Sequence, residues 1–127
     1  MPIDVQFRDI DAFGHVNNAT YFSFFEIART RYWLELVRGR GAADVTFIVA
    51  HAECDFLRQV GLEPIEVLTR ITELRNSSLD FIYEVRKSDG ALAATGKTVV
   101  VFFDWETKSK RPITDEFRRR VEEFQKA

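Results

Sequence analysis

Residues 19–37 read ATYFSFFEIARTRYWLELV, and the spacing of their apolar side chains decides the fold. Tyr21, Phe25, Ala28, Tyr32 and Leu36 recur at intervals of three and four, the period of an α-helix, and Phe22, Phe24, Ile27, Trp33 and Leu34 widen that stripe almost around the cylinder. A helix that is apolar on nearly every side has to be largely buried, so it is expected at the centre of the domain. Upstream, Asp9-Ile10-Asp11-Ala12-Phe13-Gly14-His15-Val16-Asn17-Asn18 concentrates the residues of turns and caps, and Asn17 or Asn18 is the expected N-cap. Arg38-Gly39-Arg40-Gly41 supplies the positive charge and the glycine that suit the other end.

Outside this helix the chain reads as strands. Residues 3–8 alternate, Ile3, Val5 and Phe7 against Asp4, Gln6 and Arg8, as a half-buried strand does. Residues 45–57 put Ile48, Ala50, Ala52, Cys54 and Phe56 on one side, and Ile65, Val67, Thr69 and Ile71 alternate after the Gly61 and Pro64 breaks. Leu79, Phe81, Tyr83 and Val85 predict a further strand, which turns at Ser88-Asp89-Gly90 and returns through Ala91 to Phe103. From Thr114 to Gln125, Phe117, Val121 and Phe124 at helical spacing predict a short surface helix with Thr114 as its cap. The expected architecture is α+β: a five-stranded antiparallel sheet wrapped around one long central helix, with a short C-terminal helix, as a single domain over residues 1–127.

Composition narrows the function. With 46% hydrophobic and 30% charged residues the chain is neither disordered nor fibrous, and 18 basic against 20 acidic side chains leave a net charge of −2, so general nucleic-acid binding is not expected. Cys54 is the only cysteine, which excludes an intrachain disulfide and a four-thiolate metal site and fits a reducing compartment. The N-terminus lacks the basic and apolar regions of a secretion signal, and no apolar run approaches the roughly 20 residues of a membrane span, so a cytoplasmic protein without membrane association is expected. Twelve phenylalanines exceed what one small core should absorb and point to subunit contacts or an apolar ligand channel.

The segment Asp9–Asn18, followed by Tyr21 and by Glu26-Ile27-Ala28-Arg29, resembles the N-terminal signature of the hotdog-fold acyl-CoA thioesterases of the 4-hydroxybenzoyl-CoA thioesterase type. Strand order, central helix and the Ser77-Ser78 pair opening the fourth strand extend the resemblance in outline over the whole chain. The resemblance implies a hotdog fold and a thioester hydrolase that needs no bound cofactor, coenzyme A being part of the substrate. It also implies a homodimer or homotetramer with active sites at the dimer interface. Asp11 then occupies the position of the catalytic carboxylate, Asn18 that of a backbone N–H polarising the thioester carbonyl, and Tyr21 that of a substrate contact.

The residues themselves allow this chemistry. Hydrolysis of a thioester needs a carboxylate or other base, as general base or nucleophile, and donors aimed at the developing oxyanion; the start of a helix offers unpaired N–H groups and a positive dipole end. Asp11 read alone, without the motif, is first a turn or capping aspartate. His15 could orient the substrate, bond to Asp11 or fix the loop, and Asn17 is expected to satisfy helix donors while shaping the pocket. Glu26, about two turns past Asn18, either pairs with Arg29 or Arg31 or serves as a second acid near the substrate. Ser77 and Ser78 could hold the attacking water, line the pocket or simply turn the chain. His51 and Cys54 fall on opposite faces of a strand, so no shared metal is expected. For the coenzyme A phosphates the candidates are Arg58, Arg75, Arg86 and Lys97, or the cluster Lys108, Lys110, Arg111 and Arg118 to Arg120, whose admixed glutamates suit a solvated face better. The competing readings are an acyl-carrier-protein thioester as substrate, enoyl-CoA hydration or dehydration by Asp11 and His15, and a non-catalytic acyl-CoA binding module.

Overall fold

The structure is a computed structural model and describes residues 1–39 and 44–126. Strand β1 (Pro2–Asp4) is followed by helix α1 (Thr20–Val37), strands β2 (Phe47–Phe56), β3 (Pro64–Leu74), β4 (Ser78–Arg86), β5 (Leu92–Asp104) and β6 (Ser109–Lys110), and helix α2 (Asp115–Lys126). The sheet runs β1-β3-β4-β5-β2 with β6 attached to β5, and every pairing is antiparallel. β2, the first strand after α1, therefore lies at the edge farthest from β1.

Alternation in β3 and β4 works as the sequence predicts, and β5 alternates as well. Ile65, Val67 and Ile71, then Leu79, Phe81, Tyr83 and Val85, then Ala94, Thr98, Val100 and Phe102 are buried on the face that α1 covers. From α1, Tyr21, Phe24, Phe25, Ala28, Arg29, Trp33 and Leu36 point into this layer. Gly96 on β5 lets the helix come close: a Cβ there would overlap the ring of Phe25, which is itself fully buried and stacked on Tyr83 at 4.4 Å between centroids. Gly96→Ala should therefore destabilise the fold by about 1–3 kcal/mol, the usual cost of overpacking, which chemical denaturation would read directly. An unchanged midpoint would show that the helix is not held against β5.

The structure corrects four expectations. The first strand stops at Asp4 rather than near Arg8, because the Gln6 N–H donates to Asp9 Oδ2 (2.8 Å) and closes a 3₁₀ turn over Phe7–Asp9 that throws Phe7 outward, 85% exposed. In β2 a bulge falls between Val49 and His51, so Ile48 faces away from Ala52, Cys54 and Phe56 instead of sharing their side. α1 is not buried all round: Phe22 and Ile27 are 39% and 47% exposed, and Glu26 is open beside them. The sheet also carries the two-residue β6 beyond the five strands expected.

The ends of the helices follow local chemistry. Thr114 caps α2, its Oγ1 accepting the Phe117 N–H at 3.1 Å as expected. At the end of α1 it is Arg38, not a glycine, that takes the left-handed conformation (φ 55°), and the Gly39 N–H closes onto the Leu34 carbonyl at 2.9 Å. Arg40 and Gly41, named with them above, lie outside the described residues. α2 fastens the sheet through Gln125, whose amide both accepts from the Ile71 N–H (2.7 Å) and donates to the Ile71 carbonyl (3.1 Å) where β3 bulges. Such bracketing satisfies backbone groups that the irregular ladder leaves open.

Candidate active site

The loop from Ile10 to Asn18 is held by its own polar groups. Asp11 Oδ1 accepts the Phe13 N–H at 2.9 Å and the His15 N–H at 3.5 Å, the Asp11 carbonyl accepts from Gly14 N–H (3.1 Å), and the Asp11 N–H donates to the His15 carbonyl (2.9 Å). Gly14 has φ 82°, which a residue with a Cβ adopts only under strain. Two further bonds fix the loop to the body: Val16 N–H to the Val60 carbonyl (2.8 Å) and Asn17 N–H to the Asp9 carbonyl (3.0 Å). One carboxylate oxygen of Asp11 is thus committed to the loop, while Oδ2 accepts no hydrogen bond among the described residues. The His15 imidazole likewise has no hydrogen-bond partner among them; it is joined to Asp11 through backbone atoms.

Regular α1 begins at Thr20, but its capping bond comes earlier. Asn17 Oδ1 accepts the Ala19 N–H at 2.9 Å, two residues on, the geometry of an N-cap side chain, and the Asn17 carbonyl accepts the Thr20 N–H at 2.9 Å. Tyr21 N–H goes to the Asn18 carbonyl and Phe22 N–H to that of Ala19. From Ala19 to Phe22 every amide is therefore satisfied within the chain. The Asn18 N–H has no acceptor among the described residues, although it sits at the positive end of an 18-residue helix.

Asn18 also lines a cleft of about 260 Å³, together with Val16, Tyr21, Phe56, Leu57, Arg58 and Gln59. Tyr21 meets Phe56 edge to face at 5.2 Å, giving the cleft an aromatic wall. Burial pushes the Tyr21 phenol above its ordinary value, with Cys54 and Glu63 adding to the effect, so it offers only a neutral hydroxyl. Burial, and less so the charge of Asp55, also pushes the Cys54 thiol up to about 11, which leaves it unsuited to act as a nucleophile near neutrality. Arg58 is fixed at the rim, its Nη1 donating to the Leu92 carbonyl at 3.1 Å, and it has no carboxylate partner among the described residues.

The structure sorts the other residues singled out in the sequence. Asn18 and Tyr21 share the cleft; Asp11 and His15 share the preceding loop but do not line it. Glu26 pairs with neither expected arginine, because Arg29 turns into the core toward Tyr83 and Thr98 while Arg31 reaches Glu35 at 3.4 Å. Glu26 instead borders a second, larger groove of about 730 Å³ along the outer face of α1, with Ile27, Thr30 and Leu34. Ser77 and Ser78 stand at the opposite end of the sheet: Ser78 is level with Val101 and Ile48, whereas the cleft end of β2 is level with Ala94 and Val85. Ser78 Oγ accepts from Arg75 at 3.3 Å. His51 and Cys54 do face opposite sides of β2, opposing Val99 and Gly96.

Of the cations singled out for phosphate, three are engaged by carboxylates: Arg75 grips both oxygens of Asp80 at 2.9 Å each, Arg86 meets Glu84 at 2.6 Å and Lys97 meets Glu53 at 3.7 Å. In the basic cluster, Arg118 and Arg120 are spent on the backbone carbonyls of Arg75 and Leu36. Arg58 is the candidate that borders the cleft. The remaining wall, Phe56, Leu57 and Gln59, was not anticipated; its residues lie beyond the bulge of β2 and reach the helix start only through tertiary packing. No group of three His, Cys, Asp or Glu side chains among the described residues is arranged to hold a metal ion, and no helix among them is long and apolar enough to cross a membrane.

A long helix laid over one face of an antiparallel sheet, with a donor-bearing cleft at the helix start, defines a hotdog-type domain. The model of the thioesterase-like superfamily matches residues 5–121, and on that match the chain belongs to the thioesterase-like superfamily. It is 32% identical over 115 residues to YsmA of Bacillus subtilis, covering 90% of this chain and 78% of that one. It is 30% identical over 107 residues to the acyl-CoA thioester hydrolase YbgC of Escherichia coli O6:H1, covering 81% and 80% of the two chains. The solved structure of a Thermus thermophilus thioesterase, complexed with coenzyme A and Zn, superposes with a TM-score of 0.88 at 32% identity over 100% of this chain and 93% of that one.

Proposed function

We propose that this protein hydrolyses acyl-CoA thioesters, with the Asn18 N–H as oxyanion donor and Asp11 as general base or nucleophile. The observation that carries this reading is the Asn18 amide: among the N–H groups from Asn17 to Phe22 it alone lacks an acceptor in the described residues, and its residue lines a cleft walled by Tyr21 and Phe56. A preorganised donor of this kind stabilises the tetrahedral oxyanion, and the free Oδ2 of Asp11 is the one carboxylate oxygen not tied to the loop. Membership of the superfamily and the likeness to an acyl-CoA thioester hydrolase supply the substrate class. Arg58 at the cleft rim is the cation we assign to coenzyme A.

The working unit in this proposal is at least a dimer. Among the described residues β2 has one unpaired edge, and Ile48 and Val49 on it are half-exposed. Antiparallel pairing of two β2 edges about a two-fold axis would set the cleft end of one copy beside the Phe47 end of the other, so that the second copy extends the wall of the cleft.

The test exploits the helix position. Asn18 follows the capping Asn17, where proline is tolerated because the N–H makes no helical bond, so Asn18→Pro deletes that backbone donor, along with the side-chain amide, and keeps the helix. Thiol release from a panel of short, long and aryl acyl-CoAs should be clear for the wild type and fall about 10²–10³-fold in the variant, the loss typical of one oxyanion donor. Equal rates in a folded variant would remove Asn18 from the mechanism. Loss of the enoyl absorbance of crotonyl-CoA without thiol release would overturn the hydrolase reading altogether.

A further inference from the structure

The segment between β2 and β3 connects the cleft to the loop that carries Asp11. Leu57, Arg58 and Gln59 line the cleft, and directly after them the carbonyl of the buried Val60 accepts the Val16 N–H at 2.8 Å. Among the described residues this is the one hydrogen bond that ties residues 10–18 to a distant part of the chain.

Both neighbours of Val60 are held from one place. The Gly61 N–H donates to Glu63 Oε2 at 3.4 Å, and the Gln59 carbonyl accepts from Lys87 Nζ at 2.8 Å; that ammonium also stands 3.8 Å from Glu63 Oε2. The other carboxylate oxygen, Oε1, accepts the N–H and the hydroxyl of Ser88, at 3.1 and 3.0 Å. Lys87 and Ser88 open the β4–β5 turn, which is itself closed by the Lys87 N–H on the Ala91 carbonyl (2.9 Å) and the Gly90 N–H on the Lys87 carbonyl (2.8 Å). Burial alone would raise the Glu63 carboxyl, but the Ser88 N–H and hydroxyl, the Gly61 N–H and the Lys87 charge outweigh it and hold the carboxyl below its ordinary value. Near neutrality the grip is therefore that of a full negative charge.

The wall of the cleft does not depend on this grip. The Leu57 and Arg58 N–H groups donate to the Ala93 carbonyl at 2.8 and 3.0 Å, the Arg58 guanidinium donates to the Leu92 carbonyl, and Phe56 pairs with Ala94. Those ties all run to β5. What hangs on Glu63 is the stretch beyond them, residues 59–61, and through Val60 the loop with Asp11 and the Asn18 amide.

We propose that Glu63 is a positioning residue for hydrolysis: with Lys87 and Ser88 it clamps residues 59–61 to the β4–β5 turn, and through the Val60 carbonyl the clamp sets the place of the loop from Asp11 to Asn18 against the cleft. This role rests on the hydrolase reading of Asp11 and Asn18. An oxyanion donor acts only when aimed at the developing charge, so a loop that shifts loses rate, while a wall anchored on β5 keeps its affinity.

Glu63→Gln is the discriminating variant. An amide oxygen still accepts from Ser88, whereas the NH2 group turned toward Gly61 and Lys87 sets a donor against donors. With acyl-CoAs that the wild type cleaves, kcat per folded enzyme should fall about 10–10²-fold, the scale of a misplaced reacting group, with KM held within about twofold. By NMR, the Val16 amide should exchange with solvent faster than in the wild type. Lys87→Met frees the Gln59 carbonyl but leaves the Ser88 bonds, so it should move both readouts the same way by less, and it replaces Glu63→Gln if that variant does not fold. A lower Tm with unchanged kcat per folded enzyme makes Glu63 a structural tie only and overturns the proposal. A rise in KM at constant kcat, or Val16 exchange equal to that of the wild type, does the same. A wild type that releases no thiol from any acyl-CoA overturns the hydrolase reading instead, and Val16 exchange then still decides whether the clamp holds the loop.

Discussion

Asp11→Asn is expected to lower kcat/KM for acyl-CoA hydrolysis by about 10²–10⁴, the contribution of a positioned general base, while leaving the fold intact. The loop geometry is what makes the substitution informative. Asp11 Oδ1 accepts the Phe13 N–H at 2.9 Å, and an asparagine carbonyl can accept that same bond, so the turn keeps its tie. Only the charge is lost, together with the basicity of the oxygen that the loop does not use. Asp11→Ala is the contrasting variant: it removes the tie as well, and should cost stability on the scale of a lost local cap, about 0.5–2 kcal/mol. If both variants lose activity only in proportion to unfolding, Asp11 is a turn residue and catalysis lies elsewhere. A folded Asp11→Asn enzyme with wild-type rates would say the same more directly.

The largest stability effect is expected at Trp33. Its side chain is 1% exposed and its ring contacts Phe47 at 4.7 Å, Phe102 at 5.5 Å and Phe117 at 5.1 Å between centroids, so one residue joins α1 to β2, β5 and α2. The indole N–H donates to the Asp44 carbonyl at 3.0 Å. Trp33→Ala should cost about 3–5 kcal/mol, a large share of the stability of a domain this size, through the cavity left among four elements. Urea denaturation would measure it. A loss below about 1 kcal/mol would mean that the aromatic cluster collapses freely and does not hold α2 in place.

Much of this molecule can be read from its sequence, for identifiable reasons. The helix is legible because ten apolar side chains repeat at intervals of three and four over residues 21–36, and β3 and β4 because the side chains they turn toward the helix fall at every second position. Thr114 is legible because capping is decided within three residues. The bulge in β2 is not: alanines at 50 and 52 suit either face, so nothing in the letters marks the extra residue. Nor does apolarity distinguish a side chain that meets its own core from one left open, which is why Phe22 and Ile27 read as buried. At the candidate site the loop from Asp9 to Asn18 announces itself through its motif. Phe56, Leu57 and Gln59 do not, since only packing brings the end of β2 to the start of α1. Arg29 is visible as part of a motif, but its inward direction depends on hydroxyls 54 and 69 positions away.

The irregularity at Ala50 gives β2 one residue of slack, and the slack is one-sided. Val49 stands opposite Val100 and His51 opposite Val99, neighbours on β5, so Ala50 is the position that the ladder does not count. A chain shortened there could close into a regular ladder with Ala52, Cys54 and Phe56 still opposite Thr98, Gly96 and Ala94. A residue added between His51 and Phe56 has no such reserve to draw on. It would turn Phe56 to the other face, away from Tyr21, and the cleft would lose its aromatic wall. β2 can therefore lose a residue at the bulge and keep the site, but it cannot gain one toward the cleft without rebuilding what the strand delivers.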